Sequence, residues 1–308
     1  MSDLREKYGK VAVLMGGVSA EREISLKSGR AVLTALQEIG VDAHALDVGE
    51  DVIQQLISGG YDRIFNMLHG RVGEDGVIQG ALELLGLPYT GSGVLASALG
   101  MDKLLSKEVW IANGLPTPTY MMVDKNADVD EVLDSLELPV IVKPLREGSS
   151  IGMSKVTSVD QLAPAIEKAL AFDRRVLVEA WVEGDEYTAA ILCGQSLPLI
   201  RLEPANEFYD FEAKYLSDQT RYHCPCGLDD EAEYEIQVLA HKAFDAIGAE
   251  GWGRVDLMRN ERGEVFLIEI NTLPGMTDHS LVPMAAKQAG MDFNQLVLRI
   301  LECSMEKQ

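Results

Sequence analysis

Apolar and polar positions along this chain follow two periods, and the switches between them mark out its elements. A continuous apolar run at 11–15 ends at Gly16-Gly17 and reads as a buried strand. A helical period then covers about 20–39 and stops at Gly40, a residue that suits a helix end. Strands are expected at 41–48 and 63–68, and a helix at 77–85 closed by Gly86. This βαβ order predicts an α/β unit with a parallel sheet. Gly91-Ser-Gly93 punctuates the chain next. Beyond it come a helix at 103–112, a break at Pro116 and Pro118, strands at 140–143 and 176–179, and a helix at 159–171. The final segment opens with a strand at 186–192 and a polar stretch at 203–227, then carries helices near 231–247 and 292–302. The expected division is 1–93, 94–184 and 185–308.

The richest pattern is Arg254-Val-Asp-Leu-Met, a polar turn, then Val265-Phe-Leu-Ile-Glu-Ile-Asn271. With Asn260-Glu-Arg-Gly263 as a hairpin loop, Arg259 faces Glu264, Asp256 faces Leu267 and Arg254 faces Glu269. Val255, Leu257, Phe266, Ile268 and Ile270 then share one apolar face. Arg254, Asp256, Glu269 and Asn271 gather at one end of the other. Oxygen donors beside a guanidinium suit a hard divalent cation and the phosphate it escorts. An edge hairpin with one solvated face would alternate in the same way. The Pro-Gly turn of Thr272-Leu-Pro-Gly-Met-Thr, straight after a polar strand end, favours the metal reading.

Composition narrows the partners. A chain of 308 residues exceeds one simple core, and no apolar run is long enough for a bilayer. Met1-Ser-Asp-Leu-Arg-Glu-Lys mixes charge signs and lacks the pattern of a signal peptide, so a cytoplasmic enzyme is expected. With 27 basic against 49 acidic residues the formal charge is −22, which argues against nucleic acid and anionic membranes as partners. Any phosphate site must therefore rest on local lysines and backbone amides. Cys193 and Cys303 sit in apolar runs and read as small core residues. His223-Cys-Pro-Cys226 lacks the Cys-x-x-Cys spacing and a second ligand pair, so it reads as structural.

Several loops carry candidate chemistry. Met15-Gly-Gly-Val-Ser-Ala-Glu-Arg lies between strand and helix, where amides and the positive helix end favour anions. It lacks the spacing of a dinucleotide loop. Glu21 and Glu23 either favour the helix dipole or serve as ligands, and a carboxylate here could receive a substrate ammonium. His69 lies at the carboxyl end of a strand, the edge where α/β sheets bind ligands. Lys143 on a strand, followed by Arg146-Glu-Gly-Ser-Ser-Ile-Gly152, resembles a phosphate clamp, against the alternative of an ordinary Gly-Ser turn. Glu179-Ala-Trp-Val182 and then Glu183-Gly-Asp-Glu186 suit an adenine edge and ribose hydroxyls, with the backbone at 180–182 reading the base.

Together these residues resemble the ATP-grasp ligases, and within them the D-alanine–D-alanine ligase family. The resemblance runs from Val11 to about Leu301. It is carried by Gly16-Gly-Val-Ser-Ala-Glu-Arg-Glu-Ile-Ser25, Leu68-His-Gly-Arg-Val-Gly-Glu-Asp-Gly76, Tyr89-Thr-Gly-Ser-Gly93 and Met101-Asp-Lys103. Val142-Lys-Pro-Leu-Arg-Glu-Gly-Ser-Ser-Ile-Gly-Met153, Tyr209-Asp-Phe-Glu-Ala-Lys-Tyr215 and Gly251-Trp-Gly-Arg-Val-Asp256 follow in order. Glu269-Ile-Asn-Thr-Leu-Pro-Gly-Met276 and His279-Ser-Leu-Val-Pro283 complete the set. The resemblance implies an N-terminal parallel-sheet α/β domain followed by a two-domain, α+β ATP-grasp fold that holds ATP between its halves. It also implies a homodimer.

Carried over residue by residue, Lys103 and Lys143 would contact phosphates and Lys214 the transferring γ-phosphate. Glu179, Trp181, Val182 and Glu186 would hold adenosine, Val182 by its backbone. Asp256, Glu269 and Asn271 would bind two Mg2+ or Mn2+ ions, with Glu269 bridging. Glu21 would receive the first D-alanine's ammonium with His69 near its carboxylate, and Ser280 and Leu281 would hold the second D-alanine. Glu21, Ser149 and Tyr215 would fasten a closing loop around 205–220, and Arg254 with the N–H of Gly275 would face an oxyanion. Ala180 and Leu273 depart from the pattern, which puts nucleotide affinity alone in question. The implied reaction is activation of a carboxylate by ATP and capture by an amine. Rivals are a ligase of the same fold using D-lactate or D-serine, and a non-catalytic nucleotide-binding module.

Overall fold

The computed structural model describes residues 2–148, 151–203, 220–277 and 279–305. In its first sheet β1 (Lys10–Gly16) lies between β2 (Asp42–Val48) and β3 (Arg63–Asn66), and both pairings are parallel. Alternation along β1 sends Val11, Val13 and Met15 to one core, shared with the helix Arg22–Glu38. Ala12 and Leu14 go to another, beneath the helices Val52–Gly59 and Val77–Leu85. A strand buried on both faces reads as one continuous apolar run, as this one does.

The second sheet is antiparallel. It contains β4 (Tyr120–Val123), β5 (Val140–Pro144), β6 (Ser154–Val156) and β7 (Val176–Ala180) in the order β4-β7-β5-β6. The helices Val129–Ser135 and Val159–Leu170 close it on one side through Val132, Leu162, Ile166 and Ala169. Lys143 and Glu179 alternate onto the other side.

That third sheet comprises β8 (Gly184–Leu192), β9 (Gln195–Ser196), β10 (Ile200–Glu203), β11 (Arg221–His223), β12 (Trp252–Asn260) and β13 (Val265–Asn271). Its main order is β11-β10-β8-β12-β13, antiparallel, with β9 paired to β8. One face packs on the helix Asp230–Ala246; residues of the other, Ala190, Leu192 and Trp252, join the core of the first sheet and of the helices Leu281–Gln288 and Phe293–Cys303. The parallel sheet followed by antiparallel ones matches the expected fold class.

Cys193 and Cys303 pack in the core as expected; they are also paired as a disulfide between the end of β8 and the closing helix, with Cα atoms 5.8 Å apart. One expectation is corrected: the polar stretch contains a strand, β11, where none was read. Among the described residues no helix is long and apolar enough to cross a membrane.

Candidate active site

The hairpin of β12 and β13 does not have the expected register. Asn260 pairs with Glu264, not within the loop, because its side chain accepts from the N–H groups of Arg262 and Glu264 and Gly263 takes φ +84°. The loop therefore has three residues, one of them left-handed. A bulge beside Asp256 and Leu257 then skips Ile268. As a result Asp256 lies across from Glu269, and Arg254 across from Asn271. Leu267 replaces Phe266 and Ile268 in the apolar core, alongside Val255, Leu257 and Ile270. Two carboxylates and an amide are thus drawn closer than the sequence implied.

Asp256 is braced from two sides. Arg254 grips it with two hydrogen bonds, Nε to Oδ1 at 2.8 Å and Nη2 to Oδ2 at 2.7 Å, and Thr188 of β8 donates to Oδ1 at 2.6 Å. Asn271 Oδ1 accepts from the N–H of Leu273 at 2.9 Å. Among the described residues no three His, Cys, Asp or Glu side chains gather as a metal cluster. The donor set is therefore two carboxylates plus the amide oxygen of Asn271. An all-oxygen set of this kind fits magnesium or manganese, which keep several waters.

The opposite wall belongs to the second sheet. Lys143 on β5 and Glu179 on β7 are both 2 % exposed and lie 3.1 Å apart, Nζ to Oε1. Lys107, from the helix Lys103–Ala112, reaches the other oxygen of Glu179 at 2.6 Å. Burial would raise the Glu179 carboxyl, but the two ammonium groups outweigh it and hold the group below its usual range. Beyond Glu179 the chain passes to the third sheet. The N–H groups of Ala180 and Trp181 are committed to the carbonyls of Thr119 and Pro139. The Trp181 indole donates to Glu183 at 2.8 Å and lies under the Lys155 ammonium, 4.2 Å from the ring centre. Glu186 follows at the start of β8, half-buried.

Lys103 joins the two walls. Its ammonium donates to the Glu147 carbonyl at 2.7 Å and lies 3.6 Å from Glu269. A narrow cavity of about 60 Å³ opens here, lined by Glu74, Lys103, Glu147, Gly148, Glu269 and Asn271 among others. Glu21 borders the same region. A Cβ on Gly70 would meet its carboxylate at 2.8 Å and one on Gly148 at 3.5 Å, so both glycines make room for it. His69 is 6 % exposed with Nδ1 3.7 Å from Glu74, and its buried Nε2 has no hydrogen-bond partner among the described residues. A buried orphan nitrogen of this kind is a natural ligand contact.

The turn after β13 supplies the remaining groups. Ser280 Oγ accepts from the Thr277 N–H at 2.8 Å, and a Cβ on Gly275 would come within 3.0 Å of that hydroxyl. Leu281 begins a helix with its side chain buried, so it can offer only its backbone N–H. Ser149, Lys214 and Tyr215 lie outside the described residues. Sequence reasoning missed Lys107, Thr188, Glu74 and Asp173, which grips Arg146 at the base of the clamp loop. Lys107, Thr188 and Asp173 are polar residues in ordinary-looking runs that only burial marks out, whereas Glu74 sits inside the quoted 68–76 motif without a role of its own.

A parallel sheet feeding two antiparallel sheets, with lysines on one wall and acidic oxygens on the other, defines an ATP-grasp ligase. Two family models match the chain, D-ala D-ala ligase C-terminus over residues 109–302 and D-ala D-ala ligase N-terminus over residues 49–92. The D-alanine--D-alanine ligase of Methylococcus capsulatus is 58% identical over 298 residues, 97% of this chain and 96% of that protein. A crystal structure of the D-alanine--D-alanine ligase from Bacillus anthracis superposes with a TM-score of 0.87 at 34% identity, covering 96% of this chain and 97% of that one. The same enzyme complexed with ATP gives 0.86 at 32%, over 96% and 97%. The chain belongs to the D-alanine–D-alanine ligase family.

Proposed function

We propose that this protein joins two D-alanine molecules into D-alanyl-D-alanine, with ATP converted to ADP and phosphate, for peptidoglycan precursors in the cytoplasm. The observation that carries the reading is the pair of facing walls on a chain of this family: Lys143 with Glu179 on one side, Asp256, Glu269 and Asn271 on the other, and Lys103 between them. Residues 1–93 form the substrate domain, 94–184 and 185–308 the two halves that clasp the nucleotide, and the molecule works as a homodimer.

Lys103 and Lys143 hold phosphate oxygens, and Lys214 the γ-phosphate. Glu179, Trp181, Val182 and Glu186 hold adenosine. Magnesium, held by Asp256, Glu269 and Asn271, supplies charge neutralisation for the phosphoryl group when bound. Glu21 takes the ammonium of the first D-alanine and His69 lies near its carboxylate. That carboxylate attacks the γ-phosphorus, the new O–P bond replaces the bond to ADP, and an acyl phosphate results. The second D-alanine, its carboxylate at Ser280 and the N–H of Leu281, attacks the carbonyl carbon. Arg254, held by Asp256, and the Gly275 N–H stabilise the oxyanion. The C–N bond forms, the C–O bond to phosphate breaks, and departing phosphate takes the amine proton. Ser149 and Tyr215 fasten the closing loop to Glu21, which excludes water from the acyl phosphate.

ADP release with D-alanine compared with L-alanine, and chromatography of the product with D-lactate in competition, test the reading. D-Ala-D-Ala formed only from the D-isomer supports it. Depsipeptide as the sole product, or no ADP release with D-alanine, overturns it.

A further inference from the structure

Lys107 carries an unusual burden for a residue outside the expected site. Its side chain is fully buried, which lysines tolerate only when paired. Three contacts hold it there. The ammonium meets Glu179 at 2.6 Å, donates to the Thr117 hydroxyl, and stands 5.8 Å from the centre of the Tyr120 ring. Thr117 in turn donates to the Leu267 carbonyl on β13 at 2.9 Å, two residues before Glu269. One ammonium thus ties the strand behind the nucleotide wall to the strand that carries the acidic wall.

We propose that Lys107 is a positioning residue for the nucleotide: it fixes Glu179 between two cations and anchors the adenosine wall to the hairpin opposite. The inference rests on the reading that Glu179 and Lys143 belong to the nucleotide site. Stability alone does not account for the arrangement, because a buried ion pair is commonly matched or bettered by apolar side chains of similar volume. Burial pushes the Lys107 ammonium down to about 8, although Glu179 pulls the other way, and Lys143 nearby lowers it further. Two ammonium groups against one carboxylate leave an uncompensated positive charge, and a bound polyphosphate is the anion that matches it.

The test is steady-state kinetics of the full-length enzyme with ATP and D-alanine varied separately. Lys107→Met should raise KM for ATP at least tenfold while KM for D-alanine stays within twofold. A purely structural role would lower the folded fraction and the thermal midpoint and leave both KM values alone, which would overturn the proposal. Lys143→Met serves as the reference. If it raises KM for ATP and Lys107→Met does not, the inference fails and the nucleotide reading stands. If neither variant moves KM for ATP, the nucleotide reading fails as well. Should Lys107→Met not fold, two further variants decide. Thr117→Val, which cuts the link to β13, should raise KM for ATP about threefold, and an unchanged value counts against the proposal. The double variant Lys107→Met with Glu179→Gln removes both charges and should be no worse for ATP than Glu179→Gln alone; a further tenfold loss would show that Lys107 does not act through Glu179.

Discussion

The two walls of the cleft carry opposite charge and differ in how far water reaches them. At the second sheet Lys143, together with Lys107 from the helix Lys103–Ala112, outnumbers Glu179, and none of the three is more than 2 % exposed. On the hairpin Asp256 and Glu269 outnumber Arg254, and the side chain of Glu269 is 28 % exposed. Coulomb interactions in a dry interior are several times stronger than at a wet rim. The buried wall therefore holds its charges in one geometry, whereas on the hairpin Arg254 keeps Asp256 fixed and Glu269 is the carboxylate open to solvent. On the proposed function, the dry wall would receive the phosphate anion and the wetter hairpin the metal cations.

The largest expected effect breaks the rim. Glu269→Ala removes the carboxylate that faces Asp256 and lies 3.6 Å from Lys103. Turnover should fall by at least roughly 10²-fold, the scale of losing one preorganised electrostatic group. The thermal midpoint should stay close to that of the parent, since the residue is partly exposed. Near-normal ligation by this variant would remove the cation receptor from the comparison.

Legibility followed the same divide between local and distant causes. The helices Val77–Leu85 and Lys103–Ala112 match their expected limits because the stop and start lie in the chain itself: Gly86 at φ +65° ends one, and the Asp102 side chain caps the other. The hairpin's existence and its polar face were equally plain. Its register was not, because a bulge at Ile268 leaves no compositional trace, and a one-residue slip reverses which side chains face the core. Short elements such as the helix Val52–Gly59 and β6 were missed, since so few residues show no clear period. Lys107 was invisible for another reason. In Lys103-Leu-Leu-Ser-Lys-Glu-Val-Trp-Ile-Ala112 it reads as a solvated helix lysine, and only Glu179, arriving from distant sequence, buries it. The Cys193–Cys303 pair depends on the same kind of long-range meeting, across a sequence separation of 110.

The buried wall has its own anchor, and breaking it should show in stability. Asp173, 5 % exposed, accepts from Arg146 Nε and Nη2 at 3.1 Å each and from the Arg175 N–H at 3.3 Å. Asp173→Asn should cost about 2 kcal/mol, the scale of hydrogen bonds to a charged group. Burial raises this carboxyl, yet the Arg146 guanidinium and backbone N–H groups more than offset it and hold it below the usual range. A depressed carboxyl stabilises the fold above its unfolded value of about 3.9, and that stability disappears as pH falls through the lower folded value. Urea unfolding at a series of pH values should therefore show a constant gap between parent and variant near neutrality that shrinks below about pH 4. A gap that persists undiminished in acid would mean the charge is not what anchors the loop.

A smaller change sharpens the account of the rim. Thr188→Val keeps the shape but deletes the 2.6 Å hydrogen bond to Asp256 Oδ1. Partners of this kind orient a metal-binding carboxylate, and their loss costs on the order of tenfold in metal affinity. The half-saturating Mg2+ concentration should rise by about that factor while KM for D-alanine holds. If the Mg2+ dependence is unmoved, Arg254 alone orients Asp256.

The smallest effect is expected at the strand end proposed to border adenine. Ala180 is half-buried, and its N–H already donates to Thr119 at 2.9 Å. If the base is read by the backbone at Val182, as proposed, a side chain at 180 adds only a peripheral charge. Ala180→Lys introduces an ammonium at this edge, where ion pairs with solvent access contribute about 0–1 kcal/mol. KM for ATP should therefore change by less than about fivefold. Lys143→Met, which removes a charge from the dry wall, should exceed it clearly. A rise or fall of more than about tenfold on Ala180→Lys would show that side chains at the strand end, not backbone groups, select the base. The division between the dry wall and the wetter hairpin would then have to be redrawn through β7.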